Sequence, residues 1–344
     1  MVATRFMELR RRRALMVTLM LVTIALPAGF LAVRLVLHAV APSTYGPAGG
    51  YDVYVSLTAG VMYVFGFIVA ATLGCTAGSV DLTDGMFRHL VITGRSRVAL
   101  YLARIPAGLA IIWSLVAVGF AIVCVVCALS APTQLNYQGV SVPAGMSEPA
   151  LQKWAGAHAD EVICNFPYNG PIAAAVNCGP GPGGVVVGPG GTGPSAQTTQ
   201  QLAAMIARQA YPDYARQFVS PSISLMVKTG LWLELEATVG FIVGLGLGSL
   251  LGQRTVAVVL MIVLEIILTP IVERAQIPHM GNLQRGIVGV ATGQLEPGQL
   301  PLALAGGGHD FRITESTTTA VLVIVSWLVV WTALGTWRMA TRDA

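Results

Sequence analysis

The sequence predicts an all-α polytopic membrane protein of six transmembrane helices, with one large polar insertion between the third and fourth. Composition points there first: hydrophobic residues make up 54% of the 344 residues and charged ones only 10%, where a soluble chain averages about 25% charged. Six apolar runs approach or exceed roughly 20 residues, the length of helix that crosses a hydrocarbon core of about 30 Å. The runs lack the alternation of a barrel strand, and backbone groups in lipid must be paired within the segment, so the runs are read as helices.

The first span is expected from Ala14 to Val40, directly after Arg10-Arg11-Arg12-Arg13. Ala39-Val40-Ala41 has the small residues of a signal-peptide cleavage site. However, the apolar run exceeds the roughly 7–15 residues of a signal core, and Pro42 would follow the cut, so a retained span is expected. The second span covers Val53–Gly78 and the third Val98–Ala131, the latter long enough to tilt or project. The fourth, fifth and sixth cover Ser222–Leu251, Thr255–Val272 and Thr317–Trp337. Pro27, Pro106 and Pro270 each remove a backbone donor and are expected to disturb their helices.

Orientation follows from basic residues near the span ends. With the N-terminus inside, the inner segments hold Arg5, Arg10 to Arg13, Arg88, Arg95, Arg97, Arg104, Arg254, Arg338 and Arg342, twelve of the twenty basic residues. The other eight lie in the first span or along the much longer outer segments and their borders. Both termini are therefore expected in the cytoplasm. The net charge of +4 then reflects topology, and no nucleic-acid partner is expected. Arginine far outnumbers lysine, and Ala, Gly, Val and Pro are abundant, as a GC-rich genome dictates; this points to a bacterial plasma membrane.

The chain accordingly divides into an N-terminal half (1–131), an extracytoplasmic insertion (132–221) and a C-terminal half (222–344). Within the insertion, the part around Trp154, Phe166 and Tyr168 has enough apolar content for a small folded unit. Residues 179–195, GPGPGGVVVGPGGTGPS, read as a Gly/Pro-rich linker, and Thr198–Phe218 as an amphipathic helix. The glycine run lacks the Gly-Lys-Ser/Thr ending of a phosphate loop. Cys164 and Cys178 both fall in the insertion and are candidates for a disulfide on the oxidising side. Cys124 and Cys127 have Cys-x-x-Cys spacing, but inside a continuous apolar helix, where packing is the expected role. A second outer segment, Glu273–Ser316, is amphipathic, and parts of it are expected to dip into the membrane without crossing.

Three acidic residues, Glu234, Glu236 and Glu265, lie within spans four and five. A carboxylate at membrane depth costs roughly 2.5–3.5 kcal/mol on insertion scales, so such residues face a bundle interior or a wet cavity. Glu234 and Glu236 are two apart and cannot share a helix face. Two readings stand: these carboxylates line a cavity for cationic or polar cargo, or they fix helix packing by pairing with Arg34, Lys228 or a hydroxyl.

No phosphate loop, His-Glu-x-x-His zinc motif or Gly-x-Ser-x-Gly elbow occurs in the sequence, and no metal site or enzyme activity is expected. What remains is the loop between spans two and three, GSVDLTDGMFRHLVITGRSRVALYLARIPAGL. Asp81 or Asp84 can cap a short helix there. Met86, Phe87, Leu90 and Val91 give it an apolar stripe, and Gly94 can end it. A helix this short is unstable alone and needs a surface to lie on, either the membrane or a groove in a cytosolic protein.

With its six spans, this loop and the glycine-rich fourth span GFIVGLGLGSLLGQRT (240–255), the chain resembles the permease subunits of bacterial type-2 ABC exporters. The resemblance covers nearly the whole chain in topology, and its residue-level similarity is concentrated in the loop and span four. It implies that Asp84–Arg97 is a coupling helix, with Asp84, Met86, Phe87, Arg88, Leu90, Arg95 and Arg97 meeting an ATP-binding subunit. It also implies that 273–316 is re-entrant, that the chain has no cofactor of its own, that ATP and Mg are bound by the partner subunit, and that a second permease copy or related permease completes the transporter. Membrane lipid surrounds it, and the cargo would be a lipid, a drug-like amphiphile or a glycan. One departure is clear: the family joins spans three and four by a short outer turn, and here that link is close to ninety residues. The competing reading is a membrane-anchored sensor or assembly protein whose insertion binds a ligand.

Overall fold

The computed structural model describes residues 2–45, 47–83, 96–131, 134–137, 140–143, 145–165, 196–218, 220–274, 281–297 and 315–341. In chain order the elements are α1 (Val2–Arg11), α2 (Arg13–Val40), α3 (Tyr51–Val80) and α4 (Arg97–Leu129). A hairpin follows, β1 (Gln134–Tyr137) and β2 (Val140–Pro143), then α5 (Glu148–Ala157), α6 (Ala159–Asn165) and α7 (Ala196–Phe218). Next come α8 (Ile223–Leu251) and α9, built from Arg254–Ile262, Val263–Leu268 and Thr269–Arg274. The last elements are α10 (Gly281–Arg285), α11 (Val288–Gln294) and α12 (Thr317–Thr341).

Among the described residues five helices are long and apolar enough to cross a membrane: α2, α3, α4, α8 and α12. The chain is thus a mostly helical protein built for a bilayer. The span expected at Thr255–Val272 is helical as α9 but is not one of those five. Its middle section, Val263–Leu268, is a π-helical stretch ending one residue before Thr269-Pro270.

Each proline expected to disturb a helix sits just after such an irregularity. Pro27 follows the π stretch Leu21–Ala25, and Pro106 follows a break at Ala103 between Arg97–Leu102 and Arg104–Leu129. The cause is shared: a proline ring displaces the carbonyl four residues earlier and offers it no N–H, so the preceding turn is rerouted. A further π stretch, Ser56–Met62, precedes no proline.

The described residues form two compact units. The first comprises 1–32, 54–125 and 222–344, the second 33–53 and 126–221. In the first, α3 packs along α8, and α8 along α12. Phe67, Ala71 and Cys75 of α3 join Val239, Val243 and Leu247 of α8, Ala257 and Met261 of α9, Val288 and Ala291 of α11, and Ala320 and Ile324 of α12 in one buried cluster. Short α11 is buried along most of its length, from Val288 to Gly293. Seven residues of helix span about 10 Å at 1.5 Å per residue, too short to cross. Its chain positions lie inside the outer segment that was expected to dip rather than span.

The second unit adds a feature that the all-α expectation lacked. β1 and β2 pair antiparallel, Leu135 opposite Val142 and Tyr137 opposite Val140. In β2, buried Val140 and Val142 alternate with exposed Ser141, the period-two pattern that a pleated strand requires. Those valines share a core with Leu151 and Ala155 of α5, Val162 of α6 and Leu202, Ala203, Ile206 and Tyr214 of α7. The amphipathic helix read from Thr198 to Phe218 is α7, which buries residues three and four apart as a helix with one apolar face must. In the same unit Arg34 donates to the Pro47 carbonyl at 2.8 Å, so that hydrogen bond goes to the backbone and not to a carboxylate.

Candidate functional site

The glycines of α8 recur every fourth residue, at 240, 244 and 248, and therefore line one face of the helix. Against that face lie Phe67, Ala71 and Cys75 of α3 in the same order, so the two helices run parallel. Their backbones touch. A Cβ placed on Gly244 would sit 2.7 Å from the Ala71 carbonyl oxygen, and one on Gly248 would sit 2.5 Å from that of Cys75. From the α3 side, a Cβ on Gly78 would meet the Leu245 carbonyl at 2.5 Å, and one on Gly74 would collide with that of Phe241. Lipid supplies no hydrophobic drive between helices, and small residues at a seam permit the close dispersion contacts that hold such a pair.

One turn up this stripe from Gly240 lies Glu236, and one further turn up lies Trp232. The Trp232 indole stacks on Tyr63 of α3, centroids 5.1 Å apart and planes 9° from parallel, and donates to the Thr292 carbonyl of α11 at 3.0 Å. Glu236 is thus held between an aromatic stack and a glycine contact and is only 2% exposed. Glu234 points away by the helical rotation of two residues and is half-buried. On its side of α8, Thr238 donates to the Glu234 carbonyl at 2.7 Å and accepts from the Trp113 indole of α4 at 3.0 Å. The two carboxylates therefore occupy different faces, as their spacing requires. Glu265 lies in the π stretch of α9. The structure brings Glu234 and Glu236 onto one helix, α8, on different faces; the side chain of Glu265 lies outside the described residues.

At the other end of the seam, three helices meet on one carbonyl. The Gly78 oxygen of α3 accepts from buried Arg104 of α4 at 3.3 Å, and the Ser249 hydroxyl of α8, which donates to its own Leu245 carbonyl at 2.9 Å, lies 3.4 Å from it. Here α8 stops at Gly252, whose φ of 67° is the left-handed conformation favoured by glycine, its N–H closing on the Gly248 carbonyl. Nearby, Arg97 donates to the Ala340 carbonyl of α12 at 3.2 Å. Of the loop residues expected to meet a partner, Arg97 alone is described. Asp84, Met86, Phe87, Arg88, Leu90 and Arg95 lie outside the described residues, as does Cys178. Cys164 lies in α6 near its end. Cys124 and Cys127 lie in α4 as thiols outside any disulfide, and Cys127 is buried.

Sequence reasoning did not foresee a cavity of about 260 Å³ in the first unit. Its wall includes Phe67 of α3, Val239 and Val243 of α8, Leu264 and Leu268 of α9 and Trp327 of α12. The tryptophans in span six and the break before Pro270 were visible signals, but nothing in a linear pattern shows that they surround one space. Among the described residues no group of three or more His, Cys, Asp or Glu residues is arranged to hold a metal. Comparison of the chain with protein-family models, with curated proteins and with solved structures finds no match.

Proposed function

We propose that this chain is the membrane permease subunit of an ATP-driven exporter of the type-2 ABC kind, without an ATPase of its own. It works with a separate ATP-binding subunit, which holds ATP and Mg, and with a second permease copy or a related permease. The proposed setting is a bacterial plasma membrane with both termini in the cytoplasm, and the cargo is a lipid, drug-like amphiphile or glycan.

The observation that carries this reading is the α3–α8 seam and the junction at its end. Helices α3 and α8 are parallel, and Gly246 of α8 abuts Trp331 of α12 while Arg97 reaches Ala340, so α12 runs the same way. Parallel α3 and α8 must be joined by a return crossing, which is α4. The end of α3, the start of α4, the α8–α9 turn and the end of α12 then share one face. Arg97, Arg104, Arg254 and Arg338 all fall at the shared face, which the positive-inside rule assigns to the cytoplasm.

A partner closing on residues 84–97 from that side would push on the ends of α3 and α4. Because the α3 and α8 backbones are in contact, no side-chain layer exists to absorb the push, and the pair shifts as one body. Arg104, donating to the Gly78 carbonyl, ties α4 to that movement. Glu234, Glu236 and the cavity wall on α8 travel with it. The energy of ATP hydrolysis would enter through the loop and reach the bundle through the seam.

A second reading is favoured by the second unit, which has its own hairpin and core: a membrane-anchored sensor or assembly protein whose insertion binds a ligand. Co-purification separates the two. The full chain is co-expressed with each ATP-binding protein of the same genome that carries a phosphate loop and an ABC signature, and compared with Phe87→Ala and Arg88→Glu. The transporter reading expects the wild type to recruit the ATPase and both variants to lose most of it. A wild-type chain that recruits none defeats the reading. Variants that bind and stimulate normally defeat only the placement of the coupling surface.

A further inference from the structure

The cavity borders the seam at Phe67, and its chemistry is one-sided. Its described wall carries no charged side chain. Two polar side chains in it spend hydrogen bonds on nearby carbonyls: Thr269 donates to Leu264 at 3.1 Å and the Trp327 indole donates to Gly286 at 2.8 Å. A buried water needs two to four polar partners, and an apolar cavity of about 150 Å³ already stays dry and takes up benzene-sized molecules. At about 260 Å³ this one is larger, so water is a poor occupant and an apolar molecule a good one. Left empty, its lining would forfeit the dispersion contacts that close packing supplies.

Access is from the side. Leu264 and Leu268 of the wall are 41% and 40% exposed, and they continue into the exposed apolar face of α9 with Ile267 and Ile271. On a helix of a membrane protein that face meets acyl chains. The same wall is the π stretch Val263–Leu268, where α-helical hydrogen bonding is interrupted and the side chains are re-aimed. Opposite the opening, Val239 and Val243 form a floor, 1% and 4% exposed.

We propose that this cavity holds one acyl chain of a bilayer lipid, inserted laterally past Leu264 and Leu268 while its headgroup stays outside. The uncharged wall gives a headgroup nothing to bind, the size suits a hydrocarbon tail segment, and the opening lies where tails are. This inference rests on membrane insertion alone and is independent of any ATP-binding partner.

The test uses the purified full chain in phosphatidylcholine vesicles doped with a phosphatidylcholine bearing a photoreactive diazirine midway along one acyl chain. After illumination, adducts are mapped by mass spectrometry. The expected result is labelling of Val239 or Val243, which a surrounding bilayer cannot reach, in addition to outward residues such as Ile271, Leu322 and Val329. Label confined to the outward residues overturns the proposal. A probe with the diazirine on the headgroup is expected to leave Val239 and Val243 unlabelled, and label there would overturn the claim that the tail alone enters. Val243→Phe fills the space and is expected to lower Val239 labelling at least tenfold relative to Ile271, whereas an unchanged ratio also overturns it. Should V243F fail to fold, the wild-type map decides alone. No ATPase is present in the experiment, so its outcome is separate from that of the co-purification.

Discussion

Replacing Gly244 by alanine tests the seam directly. The added methyl would lie 2.7 Å from the Ala71 carbonyl oxygen, where ordinary contact begins at 3.4 Å, so α3 and α8 must part by about 0.7 Å along that line. A gap of 0.5–1 Å forfeits roughly a quarter to a half of each dispersion contact it opens. Overpacking of this kind costs about 1–3 kcal/mol, partly offset by the 0.5–1 kcal/mol that alanine gains over glycine in a helix. A net loss of about 1–2 kcal/mol is expected. Gly248→Ala is expected to cost at least as much, since its Cβ would lie 2.5 Å from the Cys75 oxygen. The double variant should cost less than the sum, because one separation of the helices relieves both clashes. Gly66→Ala and Gly29→Ala serve as controls: nothing lies within 4 Å of either new Cβ, so both are expected to be neutral or slightly stabilising. The assay is reversible unfolding of the purified chain in mixed micelles of rising SDS fraction, followed by tryptophan fluorescence. If Gly244→Ala and Gly248→Ala unfold with the wild type while the controls are destabilised, the seam does not hold the bundle and the argument for a single moving body goes with it.

Two other outcomes follow from single groups. Trp232→Phe keeps a ring against Tyr63 but removes the donor to the Thr292 carbonyl. It is expected to cost about 1–2 kcal/mol and to raise amide hydrogen exchange in residues 288–294, leaving α7 unchanged. In the second unit the Tyr214 hydroxyl donates to the Pro143 carbonyl and accepts from the Met146 N–H; burial raises its pKa above the ordinary 10.0, and the Met146 N–H opposes that in part. A raised phenol pKa means that the folded state prefers the neutral form. Its contribution is complete below about pH 10 and is lost as pH rises through the folded value. Exchange at residues 140–143 is expected to accelerate above about pH 10 in the wild type. In Tyr214→Phe it should be fast already at pH 7, with no such step; a step retained in the variant would assign it to another group.

Legibility in the sequence followed the range of the physics involved. Spans one to four and six were readable because a run of apolar residues has a length, and length is what a bilayer measures. The proline positions marked the helix irregularities, since the missing donor and the ring clash act within four residues. The glycine spacing of span four was visible as well, and so was the opposition of Glu234 and Glu236, because both follow from helical rotation alone. The broken form of α9 was only half readable. Pro270 announced a disturbance, but the extent of the π stretch depends on how Val263–Leu268 packs. The hairpin in the insertion was missed because Val-Ser-Val-Pro is too short a pattern to distinguish from a loop without the helices that cover it.

By itself, then, the amino-acid sequence determined that this is a helical membrane chain, where most of its helices begin and end, which of them carry acids, and which face of α8 is bare of side chains. All of these are local properties, decided within a few turns of backbone or by transfer from water to lipid. Only the tertiary structure decided that the bare face of α8 meets α3, that Trp232 clamps α11 beside Glu236, and that Arg104 and Ser249 converge on the Gly78 carbonyl. It alone shows that five elements leave an apolar space between them. These contacts join residues from tens to more than two hundred positions apart, and no periodicity within one helix encodes which neighbour its face will find.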